Sequence, residues 1–100
     1  MSKKQARAQL LSEAWIGDAV LALHAREKIL REDGKLDGPK AERMTSNQFL
    51  AVIAEPSEVE AQVGRVYQTE GLQAAFHHIE QRLTPIFERQ EQKRTRKSKV

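Results

Sequence analysis

From Ala14 to Leu23 the chain reads Ala-Trp-Ile-Gly-Asp-Ala-Val-Leu-Ala-Leu, apolar on nearly every side of a helix, with one carboxylate, Asp18, at its centre. Apolar positions recur with a period near 3.6 in four segments and alternate strand-wise in none, which predicts an all-α chain. The first helix is expected from about Gln5 to Arg31, opened by the capping pattern Ser2-Lys3-Lys4-Gln5 and closed at Asp33-Gly34. A second starts near Pro39, carries Met44, Phe49, Leu50, Val52 and Ile53 on its apolar side, and stops before Pro56. Ser57-Glu58-Val59-Glu60 reads as a capping box that opens a third helix reaching about Thr69, and Gly71 breaks it. In a fourth, Leu72, Ala75, Phe76, Ile79 and Leu83 keep helical spacing until Thr84-Pro85 bends or restarts the chain. The sequence is read as having no internal repeat.

Asp18 is the position that asks for chemistry. An ionised carboxylate among apolar side chains is costly unless something positive answers it. A divalent cation would do so; so would burial against Arg65, Arg26 or a backbone amide. Gly17 beside it costs a helix about 1 kcal/mol relative to alanine, a cost usually offset where a second backbone comes close. Glu13 points about 140° away on an ideal helix and is a poor co-ligand, while Leu11, about 20° away, is apolar. Glu60, with Gly64 four residues on, is the other candidate, either as a ligand or as the closing carboxylate of the capping box. Trp15 lies inside the apolar run and reads as core or interface.

One hundred residues suffice for one small domain, and 39% hydrophobic with 31% charged residues is an ordinary folding composition. Without cysteine there is neither a disulfide framework nor a thiolate site. No run approaches the ~20 apolar residues of a membrane span, and no signal core follows the first residues, so a cytoplasmic protein with no membrane partner is expected. His24, His77 and His78 have no zinc spacing, and neither a glycine-rich phosphate loop nor a nucleophile elbow is present. The net charge of +3 conceals a split: residues 93–100 carry five positive charges and no negative one, leaving 12 basic and 14 acidic side chains in the rest. Residues 1–92 are therefore expected to form the domain and 93–100 a disordered basic tail, either a phosphate-binding appendage or a solubilising end.

Trp15-Ile16-Gly17-Asp18-Ala19-Val20-Leu21 resembles the signature helix of the ribonuclease III family, and Val59-Glu60-Ala61-Gln62-Val63-Gly64-Arg65-Val66-Tyr67 is similar to its second motif. Thr45-Ser46-Asn47-Gln48-Phe49-Leu50-Ala51 echoes the helix between them, and 71–87 its closing helix, so the resemblance spans about residues 10–90. With Leu11 and Ser57 where full-length enzymes carry two further carboxylates, the chain looks most like the compact Mini-ribonuclease III subgroup, shortened between its second and third helices. The resemblance implies a homodimer paired through the signature helix at Trp15, Gly17 and Leu21. It implies Asp18 and Glu60 as catalytic metal ligands for Mg²⁺, with Mn²⁺ as a substitute. The activity implied is endonucleolytic cleavage of double-stranded or structured RNA, as in RNA processing. Lys40, Arg43, Lys93, Arg94, Arg96 and Lys97 are the candidate RNA contacts. The alternative is a non-catalytic module of the same fold that binds RNA or a ribonucleoprotein partner, or that only dimerises.

Overall fold

The computed structural model describes residues 2–98, with side chains described for 2–96. It is all-helical, with six helices: α1 (Lys3–Asp33), α2 (Gly38–Thr45), α3 (Asn47–Ile53), α4 (Pro56–Glu70), α5 (Leu72–Arg82) and α6 (Thr84–Ser98). At 31 residues α1 is the spine, about 46 Å long at 1.5 Å per residue, and α2, α4 and α5 pack against it, with α3 on α4 and α6 on α5. Its start is the one the sequence predicts: the Ser2 hydroxyl accepts from the Gln5 amide while the Gln5 side chain accepts from the Ser2 amide. Gly34 ends it in the left-handed conformation, φ 76°, returning its N–H to the Leu30 carbonyl.

Two helix starts differ from expectation. The helix expected from Pro39 to Pro56 is broken at Ser46, whose extended backbone ends α2 while its hydroxyl accepts from the Phe49 amide and so begins α3. The capping box at Ser57–Glu60 does not form. Pro56 takes the first helical position and the Glu55 carboxylate accepts from the Glu58 amide, so the cap lies two residues earlier and Glu60 is free of capping duty. The core gathers Val20, Leu21, Ala25 and Ile29 of α1 with Phe49, Leu50, Val59, Val63, Ala75, Ile79, Leu83 and Phe87. Phe49 and Phe87 meet edge to face at 5.6 Å. The segment expected as a disordered tail continues α6 as helix to Ser98; residues 99–100 lie outside the described residues.

The crossing of α1 over α4 positions everything that follows. A Cβ placed on Gly17 would lie 1.7 Å from the Glu60 carbonyl oxygen, and one on Gly64 would lie 2.0 Å from that of Glu13. Backbone therefore rests directly on backbone, as Gly17 had suggested. The two contacting stretches, Glu13-Ala-Trp-Ile-Gly-Asp18 and Glu60-Ala-Gln-Val-Gly-Arg65, match in register, each placing the carbonyl of its glutamate over the other's glycine. The chain thus contains a six-residue repeat, related by a local two-fold, that is too short to stand out before the helices are brought together.

Candidate functional site

The local two-fold sets the residue after each glycine beside the glutamate of the other helix. At one end the pairing is complementary: Arg65 donates from Nε and a terminal nitrogen to the two carboxylate oxygens of buried Glu13, at 3.0 and 3.2 Å. At the other end Asp18 faces Glu60, and two carboxylates share one corner. Burial first, then the Asp18 carboxylate within hydrogen-bonding reach, and then the charge of Glu55, raise the Glu60 carboxyl from its usual 4.5 to about 7. No lysine, arginine or histidine lies within 4.0 Å of either carboxylate among the described residues.

This corrects the picture of Asp18 as a charge sunk in an apolar helix. Asp18 is exposed, because the face of α1 that it shares with Leu11 and Trp15 points to solvent. Glu60 is the half-buried member. Neither Arg65 nor Arg26 answers Asp18, Arg65 being committed to Glu13. The sequence missed that ion pair, although the repeated five-residue pattern Glu-Ala-x-aliphatic-Gly was its signal.

The other expected site residues separate cleanly. Trp15 is 79% exposed, but Gly17 is covered by α4 and Leu21 lies in the core, so these two are used within the chain and do not reach a surface where a partner could touch them. Lys40 and Arg43 are likewise engaged: Lys40 with Asp33 at 2.9 Å, Arg43 with both oxygens of Glu91 at 2.9 and 3.1 Å. Their charges tie α1 to α2 and α2 to α6. Lys93, Arg94 and Arg96 are exposed on α6; the Lys97 side chain lies outside the described residues. Buried His24 was given no role by its sequence spacing; it bonds Glu80 at 2.8 Å, where Lys28 also donates at 3.3 Å, and ties α1 to α5.

Two oxygen-donor side chains suit a hard cation. Mg²⁺ is commonly held by one or two carboxylates, its remaining positions going to water and substrate phosphate. A cluster of three or more His, Cys, Asp or Glu side chains arranged to hold a metal is absent among the described residues. The pair fits a site completed by water and phosphate, not an all-protein cage. The chain matches no protein-family model, no curated protein and no solved structure.

The raised Glu60 carboxyl has a consequence for stability. A carboxyl with a higher pKa folded than unfolded contributes stability that is complete below pH 4.5 and is lost as the pH rises through about 7. Burial depresses the pKa of His24, with the opposite sign, so the two are separated by substitution. In metal-free buffer Glu60→Gln is expected to raise the unfolding midpoint at pH 8 by roughly 4–8 °C, about 1 kcal/mol after solvent screening is discounted, and to leave it unchanged at pH 4.5. Equal shifts at both pH values would show that Glu60 is not held in its protonated form by Asp18.

Proposed function

We propose that the chain is a metal-dependent endoribonuclease acting on double-stranded or structured RNA, with Asp18 and Glu60 holding Mg²⁺ or Mn²⁺. The observation that carries the reading is the contrast across the crossing. One end of a near-symmetric contact is an ion pair, and the other sets two carboxylates together without a cation, at a cost the fold has no structural need to bear. Positions that conflict with local physical preference are where function is expected. The resemblance of both stretches to ribonuclease III motifs supplies the reaction class.

Bound there, the metal would supply charge against a phosphodiester oxygen and acidify water for attack at phosphorus. The chain's own residues do the rest. Asp18 faces solvent, where a substrate backbone can reach it, and Glu60 backs it from the half-buried side of the crossing. Because the glycines seat one helix on the other, the backbones that carry the two carboxylates are held at close approach. Glu60 holds a proton below about pH 7, so cation affinity and cleavage are both expected to rise as the pH passes through that value. The direct test incubates purified protein with a long duplex RNA in Mg²⁺ and in EDTA. Cleavage restricted to Mg²⁺ supports the reading, and intact RNA across several structured substrates transfers it to the non-catalytic alternative.

A homodimer forms part of the reading. Leu11, Trp15, Leu23 and Leu30 line the outer face of α1, and beside Leu30 a groove of about 400 Å³ runs between α1 and α2, lined by Ala22, Arg26, Leu36 and Ala41. A second copy laid antiparallel along α1 would seat each indole near the other's groove across the small residues Ala19 and Ala22. Light scattering is expected to give twice the 11.4 kDa chain mass, and Trp15→Glu half of that. A wild-type monomer at micromolar concentration would remove the dimer from the proposal.

A further inference from the structure

The end of α6 is built unlike the rest of the molecule. Up to Glu91 the helix is fastened down: Thr84 and Phe87 are buried, and Glu91 is gripped by Arg43. From Gln92 to Arg96 every residue is exposed. Arg89, Lys93 and Arg96 fall at i, i+4 and i+7, within about 60° of one another around the helix and spread over about 10 Å of its length. Among the described residues none of the three has an ion-pair partner within 4.0 Å, whereas Lys28, Lys40, Arg43 and Arg65 all do. Like charges one turn apart on a helix repel, so this alignment is unfavourable until an anion meets it.

We propose that Arg89, Lys93 and Arg96 form a backbone grip for duplex RNA, contacting successive phosphates without reading sequence. Three charges on a rigid rod suit a polymer that carries one charge per repeat along a stiff line. A membrane surface is the weaker match, since residues 88–98 contain no apolar side chain and so give α6 no face to insert. The sequence places the basic residues at a tail, but only the helix adds Arg89 to them and aligns them. The inference rests on the reading of the Asp18–Glu60 pair as an RNA-cleaving site.

The test measures binding of the full chain to a fluorescent RNA duplex of about 20 base pairs in EDTA, where cleavage does not intervene, across a series of salt concentrations. The triple variant Arg89→Gln, Lys93→Gln, Arg96→Gln touches only exposed positions and is expected to fold as wild type by circular dichroism. It should bind at least ~10-fold more weakly at low salt, with a slope of log affinity against log salt shallower by about 2–3, the loss of three phosphate contacts. Equal affinity and slope in the two proteins would overturn the grip and leave the cleavage reading standing. Wild-type protein that binds no duplex overturns it as well, as does α6-dependent capture by phosphatidylserine vesicles in preference to RNA. If the triple variant loses RNA binding but wild type cuts no RNA in Mg²⁺, the grip survives and the catalytic reading fails.

Discussion

Asp18→Asn and Glu60→Gln are each expected to abolish Mg²⁺-dependent RNA cleavage while leaving the protein as stable as wild type or more so. The two effects have one origin. In metal-free buffer at pH 8 two charges of the same sign share a corner with no basic side chain within 4.0 Å, and removing either relieves the repulsion that, after burial, raises the Glu60 carboxyl to about 7. The loss of cleavage is expected to reach about 10³-fold or more, the scale of deleting a group that stabilises transition-state charge. Thermal unfolding beside an RNA-nicking assay reads both effects on the same preparations. Asp18→Arg extends the experiment, since it copies onto this end the Arg65–Glu13 arrangement of the other. It should be more stable than Asp18→Asn by up to about 1 kcal/mol and equally inactive. Full cleavage by Asp18→Asn, or a loss of cleavage that merely tracks a loss of folding, would end the assignment of the pair as a metal site.

The second large effect is on folding. Gly17→Ala would put a methyl group 1.7 Å from the Glu60 carbonyl oxygen, and Gly64→Ala would put one 2.0 Å from that of Glu13. Both obstacles are helix backbone, which cannot turn aside as a side chain can, so the two helices must separate. Moving α1 off α4 loosens the contacts of Val20 and Leu21 with Val59 and Val63 and strains the Glu13–Arg65 pair. A cost above about 4 kcal/mol is expected for each substitution, a large share of the 5–15 kcal/mol that stabilises a typical domain. On helix propensity alone alanine would favour both helices by about 1 kcal/mol, so the sign of the change decides between the two effects. Urea denaturation gives it, and an alanine variant as stable as wild type would mean that the helices do not touch at these glycines.

Much of the helical layout was legible. Ser2 and Gln5 announce the start of α1, Gly34 its end, and Gly71 the end of α4, because caps and left-handed turns depend on residues a few positions apart. The two misplaced starts had local signals of the same kind. Ser46 has the capping hydroxyl, but it stands in a run that keeps helical spacing on either side; Pro56 marks a first helical position more firmly than Ser57 marks a cap. Asp18 and Glu60 could be named from the sequence, but not their surroundings. Periodicity reads Trp15 as core or interface, since it cannot distinguish apolar residues that face the core from those that face outward, and Trp15 is exposed. The partners of Glu13, His24 and Arg43 lie 52, 56 and 48 residues away, and no local rule connects such distances.

The two ends of the crossing share a glutamate, an alanine, an aliphatic residue and a glycine, and differ in charge at the residue that follows each glycine. Which end carries the acid pair is therefore decided by one side chain on each helix and not by the scaffold. Exchanging Asp18 and Arg65 would place an arginine against Glu60 and an aspartate against Glu13, moving the acid pair to the opposite end of the contact. The helix pair is in this sense a socket with two orientations, of which the natural chain uses one; a designer could address the other with two substitutions.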